Sequence, residues 1–252
     1  MKIQGKRWLI DLGNSRLKCA SLESHGIGEE VFAIGHEQPD SLVALLRLIG
    51  RAESGDQAWL ASVASAERTA IVTRALQDAG LSVHCIRTQA QCGKLRVAYP
   101  EPAQLGVDRF LALLAACERS DGPWLIVSAG SALTIDLLAT DGAHHGGMIV
   151  PMPNHMRAAL AQNFAQLDLP EGRATDFADN TADAIATGAR TAALGVVERA
   201  LRKAREQLGV MPTLLLCGGN AELIADVDHP AIVTLPSLVL DGLAAYVRGG
   251  EH

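Results

Sequence analysis

Residues 7–22 read Arg7-Trp-Leu-Ile-Asp11-Leu-Gly13-Asn-Ser15-Arg-Leu-Lys18-Cys-Ala-Ser-Leu22, two apolar runs separated by a Gly-Asn pair. Gly-Asn between strand-like runs is a turn signal, so a β-hairpin is expected here, with an acid closing its first strand. The pattern returns about 115 residues later: Trp124-Leu-Ile-Val127, then Ser128-Ala-Gly-Ser131, then Leu133-Thr-Ile-Asp-Leu-Leu138. Outside the hairpins, apolar periodicity predicts helices over about 40–48, 67–78, 155–162, 181–207 and 239–247, and strands over about 59–63, 81–86, 147–150 and 214–217. Strands alternating with helices indicate an α/β fold. The expected division is 1–105 and 106–252, near Gly106, although no Pro/Gly-rich or low-complexity linker marks it.

With 252 residues the chain can bury one large core or two smaller ones. Its apolar fraction of 48% and charged fraction of 20% suit a globular protein, and a net charge of -6 without a concentrated basic face argues against nucleic-acid binding. The basic start, Met1 to Arg7, precedes an apolar stretch that Asp11 interrupts at once. This is neither a signal peptide nor a membrane span, and a cytoplasmic protein is expected. Five cysteines without a CxxC pair disfavour a disulfide framework or a zinc site. His144 and His145 are strand neighbours that point to opposite faces, which does not suit joint metal ligation.

A glycine-turn hairpin repeated at this distance resembles actin, the sugar kinases and the heat-shock chaperone ATPases. That resemblance implies two actin-like (ribonuclease H-like) lobes with a nucleotide cleft between them. Glycine has no Cβ, so main-chain N–H groups can come close to phosphate oxygens, and adjacent hydroxyls add donors. Further motifs narrow the likeness. Asp11-Leu-Gly-Asn-Ser15 with Lys18, Tyr99, Gly106-Val-Asp-Arg109 opening a helix, and Gly130-Ser-Ala-Leu-Thr134-Ile-Asp136 follow one another. Gly146-Gly147 and Pro151, Asn180-Thr181, Gly218-Gly219 and Leu240-Asp-Gly-Leu243 complete the series. In order and spacing these resemble the type III pantothenate kinases over nearly the whole chain.

The resemblance implies transfer of the γ-phosphoryl group of ATP to the primary hydroxyl of pantothenate. Asp108 takes the position of the proton acceptor, and Arg109 can fork onto a carboxylate or a phosphoryl group. Asp11, Leu12, Gly13, Asn14, Ser15, Arg16, Leu17 and Lys18 would line ATP together with Ser131. Tyr99, Gly106, Val107, Asp108, Arg109 and Thr181 would line pantothenate, with Thr181 reaching a neighbouring subunit's site in a homodimer. Asp11 could hold Mg²⁺ beside the triphosphate or cap its own turn, and the two roles are compatible. Thr181 could equally be a helix N-cap. Ile185, Ala189, Ala192 and Val196 could form a core face or a dimer face.

Two positions depart from the family pattern. Ser128 stands where a carboxylate is associated with a monovalent cation, K⁺ or NH₄⁺, and a hydroxyl attracts a cation less. Met152 stands where glycine usually follows the proline, placing an apolar side chain on a turn near the expected pocket. Three other readings remain: a non-catalytic nucleotide- or pantothenate-binding regulator, an actin-like kinase of another acid or sugar, and a phosphatase of the same architecture.

Overall fold

The computed structural model describes residues 5–36, 40–119, 122–163 and 171–250. The chain runs β1 (Arg7–Leu12), β2 (Arg16–Glu23), β3 (Gly26–Ile27), β4 (Phe32–Gly35), α1 (Ser41–Ile49), β5 (Gln57–Ser62), α2 (Ala66–Asp78), β6 (Ser82–Cys85), β7 (Gln91–Cys92), β8 (Leu95–Arg96) and α3 (Val107–Cys117). It continues through β9 (Trp124–Ala129), β10 (Ala132–Leu138), β11 (His144–Pro151), α4 (Pro153–Asn163), α5 (Thr181–Leu208), β12 (Thr213–Cys217), β13 (Ile232–Thr234) and α6 (Leu238–Gly249). Two compact units result. Unit 1 comprises Met1–Ser120, Asp141–His144 and Ser237–His252; unit 2 comprises Asp121–Thr140 and His145–Pro236. Helix α3, which the sequence reading placed at the head of the second half, is thus counted with unit 1.

Both predicted hairpins form, and the same strand order surrounds each. In unit 1 the order β2-β1-β5-β6 joins an antiparallel hairpin to two parallel strands. In unit 2 the order β10-β9-β12-β13 does the same. The repeat seen in sequence is therefore a repeat of topology.

Alternation along β1 sets the layers of unit 1. Trp8, Ile10 and Leu12 face a core shared with Leu45 and Ile49 of α1 and Val72 and Leu76 of α2. Leu9 and Asp11 fall on the opposite face by the two-residue period of a strand, the side against which α3 and α6 pack. That packing is close: a Cβ on Gly242 would come within 1.9 Å of the Leu111 carbonyl oxygen. Only glycine permits this crossing, which accounts for the Leu240-Asp-Gly-Leu243 motif.

In unit 2, Leu125, Val127, Ala129, Leu133, Ile135, Leu214 and Leu216 form one face of the sheet, covered by Ala193, Val197, Ala200, Leu201 and Ala204 of α5. Ala189 also lies on the buried stripe, whereas Ala192 is exposed and Ile185 and Val196 are half-buried. Met152 belongs to this core and is 1% exposed. Its carbonyl accepts the His155 and Met156 N–H groups and so starts α4. Its side chain thus anchors the turn in the core.

No disulfide joins the five cysteines. Among the described residues no helix is long and apolar enough to cross a membrane.

Candidate active site

The β1–β2 turn carries Gly13, Asn14 and Ser15, with the latter two exposed. The Gly13 N–H donates to the Arg16 carbonyl (2.9 Å), and the His36 N–H donates to that of Ser15 (2.9 Å). His36 Nε2 lies 2.8 Å from the Gly13 carbonyl oxygen. A carbonyl only accepts, so Nε2 carries the proton. Leu12 and Leu17 are buried, which leaves their main chain for any contact with a ligand.

The second hairpin is held in the same manner. The Gly130 N–H donates to the Ala132 carbonyl (3.0 Å), while Asn220 Nδ2 donates to the Gly130 carbonyl (3.1 Å). Asn220 also donates its main-chain N–H to Ala129 (2.9 Å). Gly218, at φ +93°, makes this approach possible, because a Cβ there would sit 2.4 Å from the Ala129 oxygen. In each unit, therefore, a side chain from a distant element occupies the carbonyl of the turn glycine. The sequence reading missed His36 and Asn220; their partners are 23 and 90 residues away, and no local pattern marks them.

Asp11 and Lys18 are direct cross-strand partners on β1 and β2. The Asp11 carboxyl is pushed up from 3.8 to about 7, first by burial, next by the charge of Asp108, with Lys18 opposing both. Asp108 lies in the first turn of α3, where the helix dipole favours an anion. Its Oδ1 accepts the Arg109 N–H at 2.8 Å. A Cβ on Gly106 would be 2.6 Å from that same oxygen, so glycine here gives the carboxylate room.

Arg109 is only 6% exposed. Its Nη1 donates to the Tyr99 hydroxyl (3.2 Å), and its guanidinium carbon stands 5.8 Å from the Tyr99 ring centroid. Unit 1 thus gathers Asp11, Lys18, Gly106, Asp108, Arg109 and Tyr99.

Ser131 and Thr181 belong to unit 2. Asn180 is the N-cap of α5, its side-chain oxygen accepting the Asp183 N–H at 3.0 Å, so capping falls to Asn180 and not to Thr181. Thr181 is exposed and lines a groove of about 810 Å³ with Met156, Leu160, Ile185 and Ala189. Ser128 pairs with Thr134 across the hairpin and with Cys217 on β12. Asp136, on the same face of β10 as Thr134 by strand period, is 2% exposed.

Asp11 and Asp108 interact through their charges; once Asp11 gives up its proton, one or two such carboxylates together with substrate phosphates suit a divalent cation. Among the described residues no group of three or more His, Cys, Asp or Glu side chains gathers into an all-protein metal cage. The Ser128 position offers a hydroxyl and fits a cation less well.

Two sheets of like strand order, each opened by a glycine-turn hairpin, define an α/β fold of two similar units. The fold agrees with a Baf family transcriptional activator from Campylobacter jejuni, with a TM-score of 0.60 and 18% identity over 97% of this chain and 98% of that one. It agrees also with the ADPNP-bound activator of the 2-hydroxyisocaproyl-CoA dehydratase from Clostridium difficile, with a TM-score of 0.54 and 12% identity over 98% and 95% of the two chains. At the level of sequence, the type III pantothenate kinase family matches residues 8–203. The type III pantothenate kinase of Stenotrophomonas maltophilia strain K279a is 44% identical over 95% of this chain and 96% of its own length. That of Xanthomonas axonopodis pv. citri is 42% identical, over 97% and 98%. The chain belongs to the type III pantothenate kinase family.

Proposed function

We propose that the protein transfers the γ-phosphoryl group of ATP to the primary hydroxyl of pantothenate, the entry step of coenzyme A synthesis, with Asp108 as the base. The observation that carries this reading is the gathering of Asp108, Asp11 and Lys18 beside the Arg109–Tyr99 pair. Phosphoryl transfer depends on positioning, charge neutralisation and a group that orients or deprotonates the attacking hydroxyl. The acceptor oxygen forms the new bond to phosphorus, its proton passes to Asp108, and the bond to the β–γ bridging oxygen breaks to release ADP. Arg109 and Tyr99 orient the acceptor, Arg109 by pairing with its carboxylate. The glycine turn of the β1–β2 hairpin and Lys18 hold the phosphates. Mg²⁺, held by Asp11, would neutralise phosphate charge.

The chemistry is tested with purified protein, ATP, Mg²⁺ and a panel of pantothenate, sugars and short acids. Phosphate is expected on pantothenate alone; equal or greater turnover of a sugar would overturn the assignment. The absence of a carboxylate at Ser128 gives a second expected result. Rates in sodium, potassium and ammonium buffers should agree within about threefold, because most of a cation's attraction to such a site is charge. A strong potassium requirement would show that the hydroxyl, or a neighbouring acid such as Asp136, serves instead.

A further part of the reading is a homodimer, supported by the groove at Thr181, Met156, Leu160 and Ile185.

A further inference from the structure

The segment Asp141–His144 follows the β9–β10 hairpin in the chain and is counted with unit 1. It is laced to residues 94–98. Arg96 grips Asp141 twice, Nη2 on Oδ2 (2.7 Å) and Nη1 on the carbonyl oxygen (3.1 Å). The Arg96 N–H donates to Gly142 (2.9 Å), and Arg96 and Ala143 form a parallel bridge. Gly142 has φ +82°, and a Cβ there would lie 2.3 Å from the Lys94 oxygen. A side chain at this position would therefore force the strap off its track.

The strap ends at His144, which is 4% exposed. Its ring stacks on Tyr99, with centroids 6.0 Å apart and planes 14° from parallel. Its Nδ1 accepts the Ala98 N–H (3.3 Å), so in the neutral ring the proton is on Nε2. Tyr99 is thus held by the His144 ring, while its hydroxyl accepts from the buried Arg109 guanidinium. An exposed ion pair contributes little by itself. Here it fixes the approach of a buried ring that touches a site residue.

We infer that His144 is a positioning residue for the phosphoryl acceptor: through its stack on Tyr99 and its bond to Ala98 it sets the Tyr99–Arg109 pair that orients the acceptor. This rests on the reading of Tyr99 and Arg109 as acceptor contacts. The two physical roles of His144 separate by substitution. His144→Phe keeps a flat ring and removes the acceptor for Ala98; His144→Asn keeps a short polar acceptor and removes the ring; His144→Ala removes both.

The test combines kinetics with spectroscopy. The chain has only two tyrosines, Tyr99 and Tyr246, so ring-labelled tyrosine gives two spin systems in NMR. In His144→Ala the Tyr99 ring signals should shift and the Tyr246 signals stay in place. The KM for pantothenate should rise about tenfold, the order an aromatic pair supports, with kcat and the KM for ATP within about threefold of the wild type. His144→Phe should recover most of the KM, and His144→Asn should not. Unshifted Tyr99 signals in His144→Ala, or a shift with an unchanged KM for pantothenate, would overturn the inference. A merely structural role would lower the thermal midpoint and the active fraction with both KM values unchanged. Should His144→Ala fail to fold, the contrast between His144→Phe and His144→Asn decides by the same readings. Failure of the wild-type protein to phosphorylate pantothenate would instead overturn the functional reading, while the tyrosine signals would still report whether His144 holds Tyr99.

Discussion

Asp108→Asn is expected to lower kcat by about 10²–10⁴-fold, the usual contribution of a positioned general base. ATP affinity should change by no more than about threefold, because the β1–β2 turn and Lys18, not Asp108, hold the phosphates in the proposed arrangement. The amide is nearly isosteric and can still accept the Arg109 N–H, so the start of α3 should keep its geometry. A second signature accompanies the rate loss. The Asp108 charge is one of the causes that raise Asp11, so removing it should move the Asp11 titration down toward the ordinary carboxylate range. Single-turnover rates, nucleotide binding by calorimetry and carboxyl NMR of Asp11 check the three parts. A rate within tenfold of wild type would remove Asp108 from its role.

Asp11→Asn should act in opposite directions on activity and on stability. If Asp11 holds Mg²⁺, kcat/KM for MgATP should fall about 10²–10³-fold, since several kcal/mol of charge stabilisation goes with the metal. Without nucleotide the variant should be the more stable protein at alkaline pH. The folded carboxyl titrates near 7 and the unfolded one near 3.8. Between those values the native state holds a proton that the unfolded chain has released, so stability falls as pH rises through that window and the loss is complete above 7. Asp11 retains some solvent contact, so the loss is put at about 2 kcal/mol, roughly half of what the full shift would give. Thermal midpoints from pH 5 to 8 should therefore decline more steeply in the wild type than in Asp11→Asn. The same proton competes with the metal, and Mg²⁺ affinity of the wild type should weaken up to about tenfold per unit below pH 7. Parallel midpoint profiles for the two proteins would refute the assignment of Asp11.

The parts of the fold that could be read from sequence are those whose causes are local. The turns at Gly13 and Gly130, the amphipathic helices and the acid at the end of β1 each follow from a few neighbouring residues. The short strands β3, β4, β7, β8 and β13 escaped notice because two to four residues leave too little pattern. Within the site, Asp11, Asp108 and Arg109 were legible through the motifs that carry them. Gly106 was legible as a motif residue, but its reason, room for Oδ1 of Asp108, is a property of the folded turn. His36, Asn220 and His144 were not legible in their roles, since each acts on a group set by the tertiary fold. His144 drew attention for its neighbour His145, yet it stacks on Tyr99 while His145 hydrogen-bonds Gln207 (2.9 Å) on the surface of unit 2. Met152 was expected on a turn near the substrate pocket; its burial in the core of unit 2 depends on the tertiary fold and has no local pattern.

The close crossing at Gly242 also governs when the enzyme can become competent during its own synthesis. Helix α3, bearing Asp108 at its first turn, leaves the ribosome about 120 residues before α6. At ordinary elongation rates that interval is roughly 6–24 seconds. Throughout it Phe110, Leu111 and Leu114, all buried in the finished protein, lack the helix that covers them, and the nascent chain presents an apolar surface prone to aggregation. The proposed base is therefore translated in the first half of the chain but seated only near the end of synthesis.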